Sequence, residues 1–578
     1  MKLAEALRIV SHGPEPEAPV LTVALICGFT PLHLQSFLQA ELQLRFPERR
    51  IEIKHGTYGD IPGSLQALDV TGIEAVALVL EWEDLDRRLG IRQLGGWGPT
   101  NLPNIHEQVR ARLAQLRILI EDLARSCPVI VSLPTLPLPP LFFTAGWQTN
   151  IWEFALKEEL ISFAAGLAQL PRARVVNEQR LLQLSPLAQR RDVKSEWLAG
   201  FPFSLTHASS VAENLARLIE NPAPKKGLIT DLDNTLWSGV IGEAGVAEIS
   251  WDLDHHSQGN GLYQQLLKTL AEEGVLIAAA SKNDPAIVDE LAQREDLILP
   301  PDRVFPFEVS WGSKAQAVGR ILKTWNIGPD SVVFVDDDAL ELAEVQAAHP
   351  QVTCLRFPRQ DPPALFQFLV DLRDLFGRTK ISEEDQIRLE SIKASAKLRT
   401  DANDAAGFSE ALLEQADAEI TFNLKKDPDD TRALELLNKT NQFNLNGRRY
   451  TDAAWQQHLS KDDTFLLTAA YKDRFGALGK IAVLTGRKNG KVLAVESWVM
   501  SCRAFARRIE HQCLQFLFDN FNCHVISFDY LQTPKNGPLG SFFLGILKHQ
   551  PPPSPEISKD NFAEVCPKLF HRVREVRE

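Results

Sequence analysis

The stretch Gly227-Leu-Ile-Thr-Asp231-Leu-Asp233-Asn-Thr235-Leu-Trp237 joins a short apolar run to two carboxylates and a hydroxyl. Leu228 to Leu232 predict a buried strand, so Asp231 and Asp233 leave its carboxyl end on the same side. Ligands usually bind at the carboxyl ends of strands in open α/β sheets. The stretch therefore predicts an α/β fold with a site for a phosphate and a divalent cation, although a solvated strand end that caps a turn contains the same residue types.

Two further pieces of the middle of the chain have phosphate-binding chemistry. Ser281 ends a predicted strand, with Lys282 and Asn283 beside it, and its hydroxyl suits a phosphate oxygen. Lys314 begins a predicted helix, where an ammonium and free backbone N–H groups both offset phosphate charge. Taken singly, a strand-end serine is a common turn former and a lone lysine is commonly solvated.

A fourth piece, Asp336-Asp337-Asp338, ends the predicted strand Ser331 to Val335. With Asp231 it offers the oxygen ligands that Mg²⁺ prefers. Aspartate runs also cap helices, but four such pieces at successive strand ends favour one site that handles phosphate.

The four pieces resemble the motifs of the haloacid dehalogenase (HAD) phosphatase superfamily. The resemblance implies that Asp231 is the nucleophile that accepts the phosphoryl group and that Asp233 is the general acid and base. It also implies a Mg²⁺ cofactor, with Asp336 favoured over Asp337 because Asp336 leaves the strand first. The candidate metal ligands are Asp231, Asp233, Asp336 and Asp337, and the candidate phosphate-binding residues are Thr235, Ser281, Lys282, Asn283 and Lys314.

Longer stretches resemble one branch, the FkbH-like proteins of polyketide assembly. They are Asp231 to Glu243, Ser281 to Asp284, Leu437 to Asn444, Asp473 to Gly476 and Ser501-Cys-Arg503. This resemblance implies that 1,3-bisphosphoglycerate is the substrate and that a glyceryl group is loaded onto the phosphopantetheine thiol of an acyl carrier protein. It also implies a C-terminal part similar to GNAT-type acyltransferases, in which two central strands splay apart and admit a pantetheine arm.

Cys502 is the candidate nucleophile for acyl transfer. It is predicted to follow a strand and to precede a helix that begins near Ala506, with Arg503, Arg507 and Arg508 nearby, and such surroundings stabilise a thiolate. A partly buried strand-end cysteine is the alternative. The candidate residues for binding the acyl or pantetheine group are Asn438, Asn441, Gln442, Asp473 and Arg503, although an Asn-rich turn also explains the first three.

The pattern of strands and helices predicts an α/β protein of three domains. Residues 1–220 resemble a flavodoxin-like or SGNH-like α/β domain, expected to be non-catalytic because its first strand ends in Cys27-Gly-Phe-Thr30 rather than Gly-Asp-Ser. Asp192 and His207 are too far apart in sequence for the catalytic pair of such enzymes. The resemblance implies that residues 221–376 form a HAD-like domain with a Rossmannoid parallel sheet and that residues 406–578 form a GNAT-like α+β domain. Residues 377–405 are predicted to be a connector.

Composition excludes several classes. The 578 residues are 44% hydrophobic and 24% charged, which is typical of globular proteins. A net charge of -13 argues against nucleic-acid binding. No signal peptide and no membrane-length apolar run are found, so we expect a cytoplasmic protein without membrane contact. The alternative function is a Mg²⁺-dependent HAD phosphatase for another small phosphorylated molecule, with a C-terminal domain that only binds.

Overall fold

The computed structural model describes residues 1–94, 97–291, 293–381, 383–393, 410–440, 442–474, 476–501, 504–505, 507–533 and 536–576. Contacts divide the chain into two compact units. The first contains Met1–Pro222 and Tyr450–Ser460, and the second contains Ala223–Arg449 and Lys461–Glu578. Among the helices of the described ranges, none combines the length and the apolar character needed to cross a bilayer.

The first unit is built on a five-stranded parallel sheet of order β2-β1-β3-β4-β5. Its strands are β1 Val20–Cys27, β2 Arg50–His55, β3 Ala75–Val79, β4 Val129–Ser132 and β5 Ala173–Val175. Its helices are Leu3–Ser11, Leu32–Arg45, Ile61–Gln66, Trp82–Leu85, Leu102–Leu123, Ile151–Leu167, Glu178–Leu184, Val193–Ala199, Leu205–Glu220 and Asp452–Leu459. The predicted parallel α/β architecture of this segment is confirmed.

The segment Tyr450–Ser460 belongs to the first unit, whereas the sequence pattern places it in the predicted third domain. Two contacts explain its position. Asp452 accepts a hydrogen bond from Arg174, with 3.0 Å between Nη2 and Oδ2, and Ala453 packs against the core beside the first sheet.

The second unit contains a five-stranded parallel sheet of order β10-β9-β6-β7-β8. Its strands are β6 Gly227–Thr230, β7 Leu276–Ser281, β8 Val304–Val309, β9 Val332–Asp336 and β10 Thr353–Arg356. The helices of this region are Ile241–Ala244, Gln258–Glu272, Ile287–Leu291, Lys314–Trp325, Ala339–Ala348, Pro362–Phe376 and Glu383–Gln386. Apolar clusters cover both faces of the sheet, as expected for parallel strands joined by helices.

A seven-stranded, mostly antiparallel sheet completes the second unit, in the order β16-β15-β14-β13-β12-β11-β17. Its strands are β11 Glu419–Asn423, β12 Thr464–Asp473, β13 Gly476–Asn489, β14 Val492–Met500, β15 Val525–Phe528, β16 Glu556–Ser558 and β17 Arg572–Val576. Its helices are Glu410–Gln415, Thr431–Lys439, Ile509–Phe521, Gly537–Leu547 and Lys559–Val565. Because both sheets lie in one compact unit, the layout of three separate domains is not confirmed.

His207 lies in the interior of the first unit and is fully buried. Its Nδ1 lies 3.0 Å from Ser185 Oγ and its Nε2 lies 2.8 Å from Thr135 Oγ1. Burial, helped by the charge of Arg190, lowers the pKa of His207 to about 3. Asp192 instead accepts a hydrogen bond from the backbone N–H of Ser195 at the start of a helix. The structure therefore gives these two residues separate structural contacts.

We expect the His207→Gln variant, which keeps a polar side chain but cannot titrate, to change how stability depends on pH. Histidine in the unfolded chain takes up a proton near pH 6.5, whereas His207 in the folded unit stays neutral until about pH 3. The wild-type unit therefore loses stability as the pH falls through this window, by about 1.4 kcal/mol per pH unit relative to the variant. Urea unfolding of both full-length proteins at several pH values measures this difference. A difference that does not change with pH would contradict the buried neutral histidine.

Candidate active site

Three carboxylates meet at the carboxyl ends of β6 and β9. Asp231, Asp336 and Asp337 each offer one oxygen atom, and these atoms lie within 4.8 Å of one another. The two strands are parallel neighbours with Thr230 opposite Val335, so the residues that end them lie side by side. Asp231 and Asp336 are buried, and Asp337 is half-buried. An acidic group of oxygen ligands in this arrangement suits a divalent cation such as Mg²⁺.

Lys314, the first residue of the helix Lys314–Trp325, joins two of these carboxylates. Its Nζ lies 2.8 Å from Asp231 Oδ1 and 2.7 Å from Asp336 Oδ2. Burial raises the pKa of the Asp231 and Asp336 carboxyls, and the Lys314 ammonium opposes that shift. One ammonium cannot balance three ionised carboxylates, so the residues present fit a bound cation.

Asp233 is fixed beside this group by three donors. Its Oδ1 accepts hydrogen bonds from Trp237 Nε1 at 3.0 Å and from the backbone N–H of Ile241 at 3.2 Å. Its Oδ2 accepts one from Asn283 Nδ2 at 2.9 Å. Asn283 also donates to Ser281 Oγ at 3.0 Å. Asp233, the predicted general acid, is thereby connected to Ser281, the predicted phosphate-binding serine. Asp233 does not belong to the group of three carboxylates that could hold a cation.

The two remaining phosphate-binding candidates differ in their surroundings. Thr235 is fully buried, and its Oγ1 has no hydrogen-bond partner in the part of the chain that the structure describes. Lys282 is exposed and forms an ion pair with Glu341. The structure therefore gives the Lys282 ammonium a carboxylate partner of its own.

Two residues that position the Asp233 loop were not predicted from the sequence. Trp237 donates its indole N–H to Asp233, four residues earlier, and lies in the opening stretch, so its spacing was an available signal. Asn260 donates through Nδ2 to the carbonyl oxygen of Thr235 at 2.9 Å. It lies in the helix Gln258–Glu272, and no local pattern marks it.

The candidates for acyl transfer are only partly described. Cys502, Arg503 and Asn441 lie outside the described residues. Asn438 is half-buried in the helix Thr431–Lys439, and Gln442 is exposed. Asp473 is buried at the end of β12, with its Oδ2 3.6 Å from Arg507 Nε.

The surroundings predicted for a thiolate differ from those observed. The helix predicted near Ala506 begins at Ile509. Arg507 faces the Asp473 carboxylate, and Arg508 Nη2 lies 2.8 Å from Glu410 Oε1. Two of the three arginine charges expected to stabilise a thiolate therefore have carboxylate partners.

The parallel strands β14 and β15 pair only over Val492–Val495 and Val525–Phe528. Beyond that point, a segment that precedes β12 in the sequence, around Leu445 and Asn446, lies between the two strands. Leu445 donates its N–H to the Trp498 carbonyl at 2.9 Å and accepts from Leu531 N–H at 3.1 Å. Asn446 Nδ2 donates to the Glu496 and Asp529 carbonyls. The protein's own residues 445 and 446 thus fill the space between these two strands.

No family model matches this chain, and no curated protein matches it. Among solved structures, it is similar to the N-terminal part of the protein BF1531 from Bacteroides fragilis, which contains a phosphatase domain and is complexed with Mg. The identity is 21% and the TM-score 0.53, and the match covers 66% of this chain and 100% of that one. This likeness shows the fold, which is consistent with a Rossmann-like HAD domain.

Two further matches carry no argument because their TM-scores are low. An uncharacterized protein from Corynebacterium glutamicum is 18% identical, with a TM-score of 0.19, over 27% of this chain and 98% of that one. An acetyl-coenzyme A synthetase of Ca. Korarchaeum cryptofilum is 12% identical, with a TM-score of 0.21, over 63% and 68%.

The geometry predicts that Asp337→Asn weakens the binding of a divalent cation by about tenfold or more, because it removes one charged ligand from the group. Asp338→Asn is the matched control. Asp338 caps the helix Ala339–Ala348 through the Leu340 N–H, and asparagine caps helices equally well. Titration calorimetry of the full-length variants with Mg²⁺ or Mn²⁺ measures both affinities. Equal losses in the two variants, or none in Asp337→Asn, would argue against this cation site.

Proposed function

We propose that the chain is a Mg²⁺-dependent phosphatase of the HAD type with its centre at Asp231. The observation that carries the proposal is the convergence of Asp231, Asp336, Asp337 and Lys314 at the ends of two parallel strands. The fold likeness to a phosphatase-containing structure complexed with Mg supports it. Mg²⁺, when bound, neutralises charge on the phosphoryl oxygens.

The residues account for a two-step hydrolysis. An Asp231 oxygen attacks phosphorus as the bond from phosphorus to the leaving oxygen breaks, and Asp233 donates a proton to that oxygen. Asp233 then takes a proton from the water that hydrolyses the aspartyl phosphate, which releases inorganic phosphate and restores the Asp231 carboxylate and the protonated Asp233. Trp237, Ile241 and Asn283 hold Asp233 in place for both steps.

We expect Asp231→Asn to reduce phosphate release from a small phosphate monoester by about a thousandfold or more, because it removes the nucleophile. Asp338→Asn, outside the carboxylate group, should keep the wild-type rate. The assay is a colorimetric phosphate measurement on the full-length proteins with Mg²⁺. Unchanged release by Asp231→Asn would contradict the mechanism.

We further propose that the substrate is 1,3-bisphosphoglycerate and that the product is a glyceryl group on an acyl carrier protein. Support for this comes from the motifs that resemble FkbH-like proteins. The Cys502 thiolate attacks the acyl carbon of the acyl phosphate and expels inorganic phosphate. The Asp231 centre hydrolyses the second phosphoryl ester, and the phosphopantetheine thiol of the carrier takes the acyl group and frees Cys502. One water and one carrier thiol are consumed, and two phosphates are released.

A second function is favoured by one observation. The gap between β14 and β15 is filled by the chain around Leu445 and Asn446, which suits a C-terminal sheet that only binds. The chain would then be a phosphatase for another small phosphorylated molecule.

Intact mass spectrometry separates the two functions. The full-length protein is incubated with 1,3-bisphosphoglycerate, Mg²⁺ and a holo carrier protein. Glyceryl transfer predicts acylated enzyme and carrier with the wild type and with the control Cys566→Ala, and neither product with Cys502→Ala. Acylation of Cys502→Ala would remove that cysteine from the mechanism. Phosphate release without acylation of either protein would favour the second function.

A further inference from the structure

A cavity in the second unit lies at the end of the paired strands β6 and β9 that is opposite to Asp231. Its volume is about 430 Å³, within the range of small-molecule sites. One wall comes from Lys226, immediately before β6, and from residues 326–331, which lead into β9. The facing wall comes from the helix Thr431–Lys439 and from Met500 and Ser501 at the end of β14. The cavity therefore lies between the two sheets of one compact unit.

Positive side chains predominate on these walls. Lys226, Arg388, Arg432 and Lys439 all line the cavity, and its acidic residues are Glu435 and Asp330. The positive charge of Arg388 is balanced by the Asp385 carboxylate, and the Arg388 guanidinium also donates a hydrogen bond to the Gly274 carbonyl.

The other three cations share a single carboxylate. Glu435 Oε2 accepts from Arg432 Nη1 at 2.7 Å, and its Oε1 accepts from Lys439 Nζ at 2.9 Å. Lys226 Nζ lies 3.6 Å from the same Oε1. Three basic side chains thus depend on one carboxylate for their charge balance. Arg432 Nε is also buried without a hydrogen-bond acceptor among the described residues.

The pKa values reflect this cluster of basic groups around one carboxylate. Burial first, and then the nearby Lys439, Arg432 and Arg388, lower the pKa of Lys226 to about 7 against the attraction of Glu435. Burial alone would raise the pKa of Glu435, but the surrounding cations outweigh it and lower that pKa. An anion in the cavity would offset charge that Glu435 leaves unbalanced.

We propose that this cavity binds the phosphate group of a small organic phosphate. Arg432, Lys439 and Lys226 supply the charge, because arginine and lysine are the usual phosphate-binding side chains in proteins. Thr440, Gln442 and Ser501 add neutral hydrogen-bonding groups to the walls.

The source of the phosphate follows from the neighbouring sequence. Ser501 immediately precedes Cys502, the candidate nucleophile for acyl transfer. The phosphate belongs either to the free acyl donor or to the phosphopantetheine arm that takes the acyl group. This assignment of the source rests on the proposed acyl transfer, whereas binding of a phosphate does not.

Titration calorimetry of the full-length protein tests binding in the cavity. The titration is done without divalent cations, because the carboxylates around Asp231 then repel anionic probes and do not contribute to the binding signal. The probes are 3-phosphoglycerate, for the donor, and phosphopantetheine, for the arm. We expect saturable binding of at least one probe to the wild type. Arg432→Gln should weaken it by about tenfold or more, the scale of one charge-assisted hydrogen bond.

Arg320→Gln is the matched control, since Arg320 is exposed and pairs with Glu308 away from the cavity. It should bind like the wild type. Lys439→Gln replaces Arg432→Gln if that variant does not fold. No saturable binding of either probe, or equal affinities in the cavity and control variants, would overturn the proposal and leave these cations with only the role of joining the sheets.

The result is independent of the phosphatase test. Loss of probe binding in Arg432→Gln, with phosphate release at Asp231 retained, supports the cavity. If the wild type binds a probe in the cavity and Asp231→Asn still releases phosphate at the normal rate, the proposed phosphatase function is overturned but the inference about the cavity is not.

Discussion

The contact of the Lys314 ammonium with Asp231 and Asp336 is the interaction on which the candidate active site depends. The parallel register of β6 and β9 brings two carboxylates to adjacent positions, where burial and mutual repulsion both disfavour their charged forms. Lys314 reaches both carboxylates from the first residue of its helix. Because one positive charge does not balance three carboxylates, the site stays acidic and retains a place for a cation. The fold thus produces the metal chemistry directly from the pairing of two strands.

Much of this arrangement could be predicted, because buried parallel strands appear in sequence as continuous apolar runs. The strands that end in Ser281 and Asp336 were predicted on that basis, and the structure confirms them. The edge strand β8 was missed because it contains Pro306, which weakens any strand prediction and is tolerated only at such an edge. The edge strand β2 was missed because Ile51 and Ile53 alternate with polar residues over a short span.

Other features depend on contacts between residues distant in sequence. Lys314 was predicted as a phosphate ligand from its place at a helix start, but its two carboxylate partners follow only from the fold. The packing of Tyr450–Ser460 against the first unit could not be read from periodicity, which shows that a helix has an apolar face but not what that face covers. The helix predicted to begin near Ala506 begins at Ile509. Arg508, the residue before it, has a left-handed conformation with φ of 58° and forms no side-chain cap, so no capping residue marks the start of the helix in the sequence.

The two ends of the β6–β9 sheet carry opposite charge. Carboxylates gather where the strands end, and cations gather around Lys226 and the chain that leads into β9, where the strands begin. Five residues of β9 separate these ends by roughly 16 Å at the usual rise per residue. A small phosphate cannot contact both ends at once. If the cavity beside Ser501 holds the phosphate of the acyl donor during acyl transfer, phosphoryl hydrolysis at Asp231 must act on that donor before it enters the cavity or after it has left. The charge on the two ends therefore favours two separate binding events rather than one shared transition state.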